Sequence, residues 1–78
     1  MNFEYTRTRG EKRTYQVTLN VGRTGTGEFG YEAWVQHGAD FKGSGLDFPL
    51  TATDPESAIA EARKRIEQDI EDLAGIDE

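Results

Sequence analysis

Near residue 53 of this 78-residue chain, the spacing of apolar side chains changes from every second residue to every third or fourth. Period two places alternate side chains on opposite faces of a strand, and a period near 3.6 places them along one stripe of a helix. The chain therefore divides into a region that folds as sheet and a region that folds as helix. The clearest strand covers residues 14–21, where Tyr15, Val17, Leu19 and Val21 alternate with Thr14, Gln16, Thr18 and Asn20. Residues 29–37 repeat the pattern, with Tyr31, Ala33 and Val35 on one face and Glu32, Trp34 and Gln36 on the other. Trp34 thus points away from the face its neighbours bury. Residues 2–9 read as a short edge strand in which Phe3 and Tyr5 alternate with Glu4 and Thr6. Residues 46–51 read as a fourth strand, with Leu46, Phe48 and Leu50 on one face. Pro49 confines it to an edge or bends it, because proline donates no ladder hydrogen bond. Residues 10–12, 22–27 and 38–45 read as turns and loops.

The helix start is marked twice. Thr53 can cap with Glu56 in a capping box, or Asp54 can cap with Pro55 in the first helical position. Ile59, Ala62, Ile66, Ile70 and Leu73 then form a stripe with Ala58 beside it, and Gly75 is placed to end the helix, giving a span of about 54–74. Strands followed by one helix predict an α+β fold: an antiparallel sheet of three to four strands with a C-terminal helix on one face, in the order β-β-β-β-α. Residues 1–78 form a single domain.

A chain this short buries only about 60 % of its unfolded surface, and with no cysteine it has no disulfide or thiolate metal site. Close packing or self-association must supplement its stability, which predicts a monomer or a weak homodimer. No apolar run reaches the roughly 18 residues of a membrane span, and residues 1–10 are polar rather than leader-like. The expected location is the cytoplasm. The net charge is −6, unevenly spread. Residues 1–23 carry five basic and two acidic side chains; residues 24–78 carry four basic and thirteen acidic ones. A net acidic chain binds phosphate backbones poorly, and its field favours a basic partner.

Chemistry-bearing motifs are few. Gly25-Thr26-Gly27-Glu28-Phe29-Gly30 matches G-x-G-x-x-G, but a strand follows where a dinucleotide site needs a helix, and Glu28 repels phosphate. It reads as a hairpin loop. His37 is the only histidine, without a marked nucleophile or enough ligands for zinc. No catalytic residue, cofactor or metal site is expected. Phe3, Tyr5, Arg7, Arg9, Arg13 and Tyr15 interleave aromatic and basic residues as single-strand binders do. In a chain this acidic the plainer expectation is that the aromatics are core and the arginines balance the acidic helix.

Acidic residues crowd the helix end: Glu67, Asp69, Glu71, Asp72, Asp77 and Glu78. Carboxylates in a last helical turn oppose the macrodipole by about 0.3–1 kcal/mol each, and Arg65 spaced four residues before Asp69 offsets only part of that. Solubility is one account. An acidic face for a basic partner is the sharper one. The expected partner-binding residues are Glu67, Asp69, Glu71 and Asp72 on the helix, Glu28, Glu32 and Asp47 from the sheet, and Trp34 as an aromatic anchor.

Residues 15–73 resemble the HicB-like antitoxin domain, a strand–strand–strand–helix unit, through the alternating strands around Val17 and Ala33 and the helix entry Thr53-Asp54-Pro55-Glu56-Ser57-Ala58. The chain departs from it in lacking an appended DNA-binding region and in its aromatic loop around Phe41. That resemblance implies toxin neutralisation by protein–protein binding. In size, acidity and lack of cysteine the chain is also similar to phage-encoded anti-CRISPR proteins. Several of these set carboxylates against the basic surfaces that CRISPR complexes use for DNA. That resemblance implies a non-enzymatic inhibitor of a basic protein or nucleoprotein complex, acting in the host cytoplasm without binding nucleic acid itself.

Overall fold

A computed structural model describes every residue from Met1 to Glu78. Strands β1 (Asn2–Thr6), β2 (Thr14–Arg23), β3 (Phe29–His37) and β4 (Asp40–Asp47) precede helix α1 (Pro55–Asp72). The strands form one antiparallel sheet in the order β1-β2-β3-β4, and α1 packs on one face, which is the expected α+β, β-β-β-β-α architecture.

Register makes the core. Val17 lies opposite Val35 and Leu19 opposite Ala33, while Phe3 and Tyr5 of β1 face Val17 and Tyr15. On this face Tyr15, Val17, Leu19, Ala33 and Val35 are almost fully buried, beneath Ala58, Ala62, Ile66 and Ile70 of the helix. The helical contribution repeats at i+4, the spacing of one straight helix face. Ile59, expected on the buried stripe, lies on its flank and is 39 % exposed.

The fourth strand departs from expectation in place and facing. Residues 40–47 form it, where a loop was expected through residue 45, and residues 48–51 lie beyond its end. Leu46 points outward and is 79 % exposed, whereas Leu50 enters the core, so the two do not share a face. The physical reason lies in the inward positions. Asp47, Gly45 and Gly43 sit opposite Tyr31, Ala33 and Val35, and a strand with glycines inside shows no apolar alternation. A Cβ on Gly45 would stand 2.9 Å from Ile66 Cδ1, so the helix settles into space the glycine leaves.

The helix begins as the second alternative predicts. Asp54 accepts from the Ser57 amide at 3.0 Å, with Pro55 in the first turn. It ends earlier than expected, at Leu73, whose φ of 53° puts a non-glycine residue in the left-handed region at a cost of roughly 1–2 kcal/mol. Gly75 (φ 74°) makes the next bend. Ile76 then enters the core and bridges to Gly43, and the Asp77 amide donates to the Lys42 carbonyl at 2.7 Å. The tail thereby covers part of the outer edge of β4, whose unpaired groups would otherwise be open to another strand.

Candidate functional site

The acidic helix end lies against the basic residues that follow β1. Arg7 is 7 % exposed, and its guanidinium donates to the carbonyls of Ile70 (3.1 Å) and Glu71 (2.7 Å), to the Arg9 carbonyl (3.2 Å) and to the Glu78 carboxylate (2.9 Å). Arg9 adds a bond to the Glu71 carbonyl and pairs with Asp72 at 3.0 Å. A helix C-terminus leaves its last carbonyls without intrahelical donors. Here arginines from the opposite end of the chain supply the donors and the compensating charge. Arg13 donates to the Glu78 backbone carbonyl at 3.1 Å. The interleaved arginines thus balance the helix, as the plainer sequence reading has it.

Glu71 belongs to this network. Its carboxylate accepts from Tyr5 Oη (2.6 Å), the Thr8 amide (2.8 Å) and Thr8 Oγ1 (2.9 Å), and the residue is only 9 % exposed. The Tyr5 hydroxyl first, then the Thr8 amide, holds the acid down to about 2, and the same carboxylate pushes Tyr5 up to about 12. Both oxygens of Glu71 are therefore engaged inside the molecule.

The other expected docking residues are distributed over the surface. Glu67 pairs with Arg63 at 3.2 Å, and Arg63 in turn lies 4.2 Å from the Phe3 ring centroid. Arg65 does not meet Asp69; it turns to Asp47 and to Glu61 (2.7 Å), linking the helix to the end of β4. Asp69 consequently has no cationic partner, and burial, then the charges of Asp47 and Asp72, raise its pKa. Glu28 is exposed at the base of the β2–β3 loop, where its carbonyl accepts from the Thr24 amide. Glu32 and Trp34 lie on the sheet face opposite the helix. The eight residues therefore do not form one patch: the sheet separates Glu32 and Trp34 from Glu67, Asp69 and Asp72.

That uncovered face is the least satisfied surface of the molecule. Trp34, at its centre, stands between Thr18 of β2 and Ser44 of β4 and is 38 % exposed. Leu46 lies opposite Glu32 and Phe41 opposite Gln36, and Phe48 covers Gly30, with its Cδ2 3.1 Å from where a Cβ would stand. Phe41, Leu46 and Phe48 are all more than half exposed. Gly22 and Gly30 face each other across β2 and β3; Phe48 lies over Gly30, and the space over Gly22 stays open in a groove of about 570 Å³ bordered by Asn20, Arg23, Glu32, Leu46, Asp47 and Phe48. Glu4 and Glu32 point outward here without an ion-pair partner. No lysine or arginine holds an outward position on β1, β2 or β3. Arg23 ends β2 opposite buried Phe29, with its guanidinium 4.6 Å from that ring, and Lys42 sits at the bulge beside the tail.

Sequence alternation places Trp34 and Glu32 on this face. Leu46 and Phe48 escape it because the alternation over residues 46–51 groups them with Leu50, which is buried, while the glycine-rich residues that form most of β4 read as loop; the groove needs the Gly22–Gly30 register, which no local pattern encodes.

The remaining motifs are structural. The G-x-G-x-x-G segment spans the β2–β3 hairpin loop, closed by the Gly27 amide on the Thr24 carbonyl (3.0 Å). His37 Nδ1 donates to the Thr14 carbonyl at 3.1 Å, beside the Tyr15 ring. No group of three or more His, Asp or Glu side chains is arranged to hold a metal ion, and no helix is long and apolar enough to cross a membrane. No protein-family model matches the sequence, and no curated protein or solved structure matches it at a significant level.

Proposed function

We propose that this chain is a non-enzymatic binding protein that docks on a basic, nucleic-acid-binding surface of a partner complex and blocks it, in the manner of anti-CRISPR inhibitors. One observation carries the reading: five of the nine cations are engaged in ion pairs within the molecule, and more than half of the carboxylates are not. Arg7, Arg9, Arg13, Arg63 and Arg65 all hold ion pairs within the molecule, whereas eight of the fifteen carboxylate side chains have no cationic partner, Glu4, Glu28, Glu32 and Asp69 among them. The field presented to a partner is negative on both sides of the sheet, which steers association toward a positive surface and sets phosphate aside.

The test is competition. A DNA-binding CRISPR effector is mixed with its target duplex and with the purified chain, and duplex retention is read by gel shift. Duplex release that weakens as salt rises supports the reading, because screening reaches charges separated by about a Debye length of 8–10 Å. Two charge-reversed variants then divide the surface: Glu4→Lys with Glu32→Lys, and Glu67→Lys with Asp69→Lys and Asp72→Lys. Retention of full inhibition by both variants counts against it. Glu71 is left out of the second set because its reversal would test folding instead.

A second reading, a HicB-like antitoxin module, is favoured by the exposed apolar group around Trp34. It expects salt-insensitive association with a toxin, and a stable dimer in light scattering.

A further inference from the structure

Four large apolar side chains on one sheet face, with two uncompensated carboxylates among them, ask for an occupant that is both apolar and positive. We infer that the glycine-floored groove between β2, β3 and β4 receives an arginine side chain of the partner, with Trp34 as the adjoining contact. The inference rests on the proposed function, in that it takes the partner to be basic, and it names where and through which group that partner is held.

The groove has the parts such a side chain needs. Gly22 leaves the floor open, with nothing within 4 Å of where a Cβ would stand, so an incoming chain lies on the backbone there, beside the Phe48 ring that covers Gly30. Leu46 and Phe48 offer apolar walls for the methylene stem, which arginine buries while its head stays polar. Glu32, bordering the same groove without a cation of its own, is a carboxylate for the guanidinium, and Asn20 beside it adds an amide. Trp34 lies two residues along β3 on the same face, a π surface of the kind planar guanidinium groups stack upon. The volume of about 570 Å³ is within the range of ligand-holding clefts and leaves room for the flanking backbone.

Charge chooses among the possible occupants. A phosphate backbone would meet Glu4 and Glu32 with no outward lysine or arginine on β1, β2 or β3 to receive it. A second copy in a two-fold contact would set the same face against itself and crowd its glutamates together. Arg23 lines the groove, but its guanidinium lies over the Phe29 ring and pairs with no carboxylate, and Arg65 is taken up by Asp47 and Glu61, so neither answers Glu32.

The experiment uses the isotope-labelled chain and a short blocked peptide carrying one arginine between leucine and glycine. Control peptides replace the arginine with norleucine or glutamate. Amide and indole chemical shifts are followed during titration. The expected result is saturable shifts at Gly22, Gly30, Glu32 and the Trp34 indole with the arginine peptide, larger than with norleucine and absent with glutamate. Gly22→Val should weaken binding by about tenfold or more by filling the groove. A Cβ at Gly22 meets nothing within 4 Å, so this variant should keep its fold, visible as unchanged shifts in the core. Glu32→Gln, isosteric and outward, should weaken arginine binding several-fold while leaving norleucine binding unchanged. Equal response to arginine and norleucine overturns the inference, as does retention of full affinity by both variants. Shifts confined to Asp69 and Asp72 overturn the groove but leave the basic-partner reading standing. Groove shifts with a single-stranded oligonucleotide or the glutamate peptide overturn both. Concentration-dependent shifts of the same residues without any peptide assign the face to self-association instead.

Discussion

The two faces of the sheet solve opposite problems. On the helix side every strand's apolar residues are covered, and a carboxylate as deep as Glu71 is met by Tyr5, Thr8 and Arg9. On the other side Trp34, Phe41, Leu46 and Phe48 remain exposed, and Glu4 and Glu32 have no counter-charge. A buried polar group without partners costs about 1–3 kcal/mol, so the covered side is constrained to satisfy itself. An exposed face is under no such constraint, because water solvates its charges. Its apolar cluster and unanswered carboxylates are thus left unpaired by the fold, and they are the groups the proposed docking surface uses. The difference also reassigns the acidic helix end: Glu71, Asp72 and Glu78 belong to a structural joint, and Asp69 and Asp77 are the carboxylates there that keep no cation.

The comparison breaks first at Arg7. Arg7→Ala removes the one cation that joins the Ile70 and Glu71 carbonyls to the Glu78 carboxylate, leaving them the Leu73 amide, Arg9 and the Glu11 amide respectively, and breaking a buried charged network typically costs about 3–5 kcal/mol. Total stability for this size is about 4–12 kcal/mol, so urea denaturation should show a chain near unfolding. A loss under about 1 kcal/mol would mean the helix end is held by packing alone.

Matched truncations sharpen it. Ile66→Ala under the sheet should cost about 2–5 kcal/mol, and Leu46→Ala on the open face within about 0.5 kcal/mol. Comparable costs for the two would place Leu46 in the folding core.

Glycines on the two faces should also part. Gly45→Val drives a side chain into Ile66 and should cost about 1–3 kcal/mol, whereas Gly22→Val enters open space and should leave the melting temperature unchanged or slightly raised.

The smallest effect at neutral pH is expected in acid titration. Glu71 is held at about 2 in the fold, below its ordinary value of 4.5, with Tyr5, Thr8 and Arg9 as its partners. A depressed carboxylate contributes stability that is present above the ordinary value and lost as pH falls toward the folded one. Melting temperature should therefore decline from about pH 5 toward pH 2. Glu78, also lowered, contributes in the same direction, while Asp69, raised by burial, opposes them. Glu71→Gln should flatten the profile; an unchanged slope would assign the acid sensitivity to other groups.

The sequence by itself determined the fold class. Alternation over β2 and β3 is a strictly local consequence of strand geometry, and Asp54-Pro55 with an i+4 apolar stripe is a local consequence of helix geometry. The uncovered position of Trp34 follows from the same alternation. Tertiary structure alone decided what depends on residues far apart in the chain. Gly43 and Gly45 form a strand by pairing with Val35 and Ala33, and as glycines they let Ile76 and Ile66 approach, so β4 has no apolar signature of its own. Carboxylates at the helix end look unfavourable until Arg7 and Arg9, more than sixty residues away, arrive to cap it. The face around Trp34 becomes a groove only when Gly22 meets Gly30. Periodicity is written into neighbouring residues; charge compensation and close approach are properties of pairs that only folding brings together.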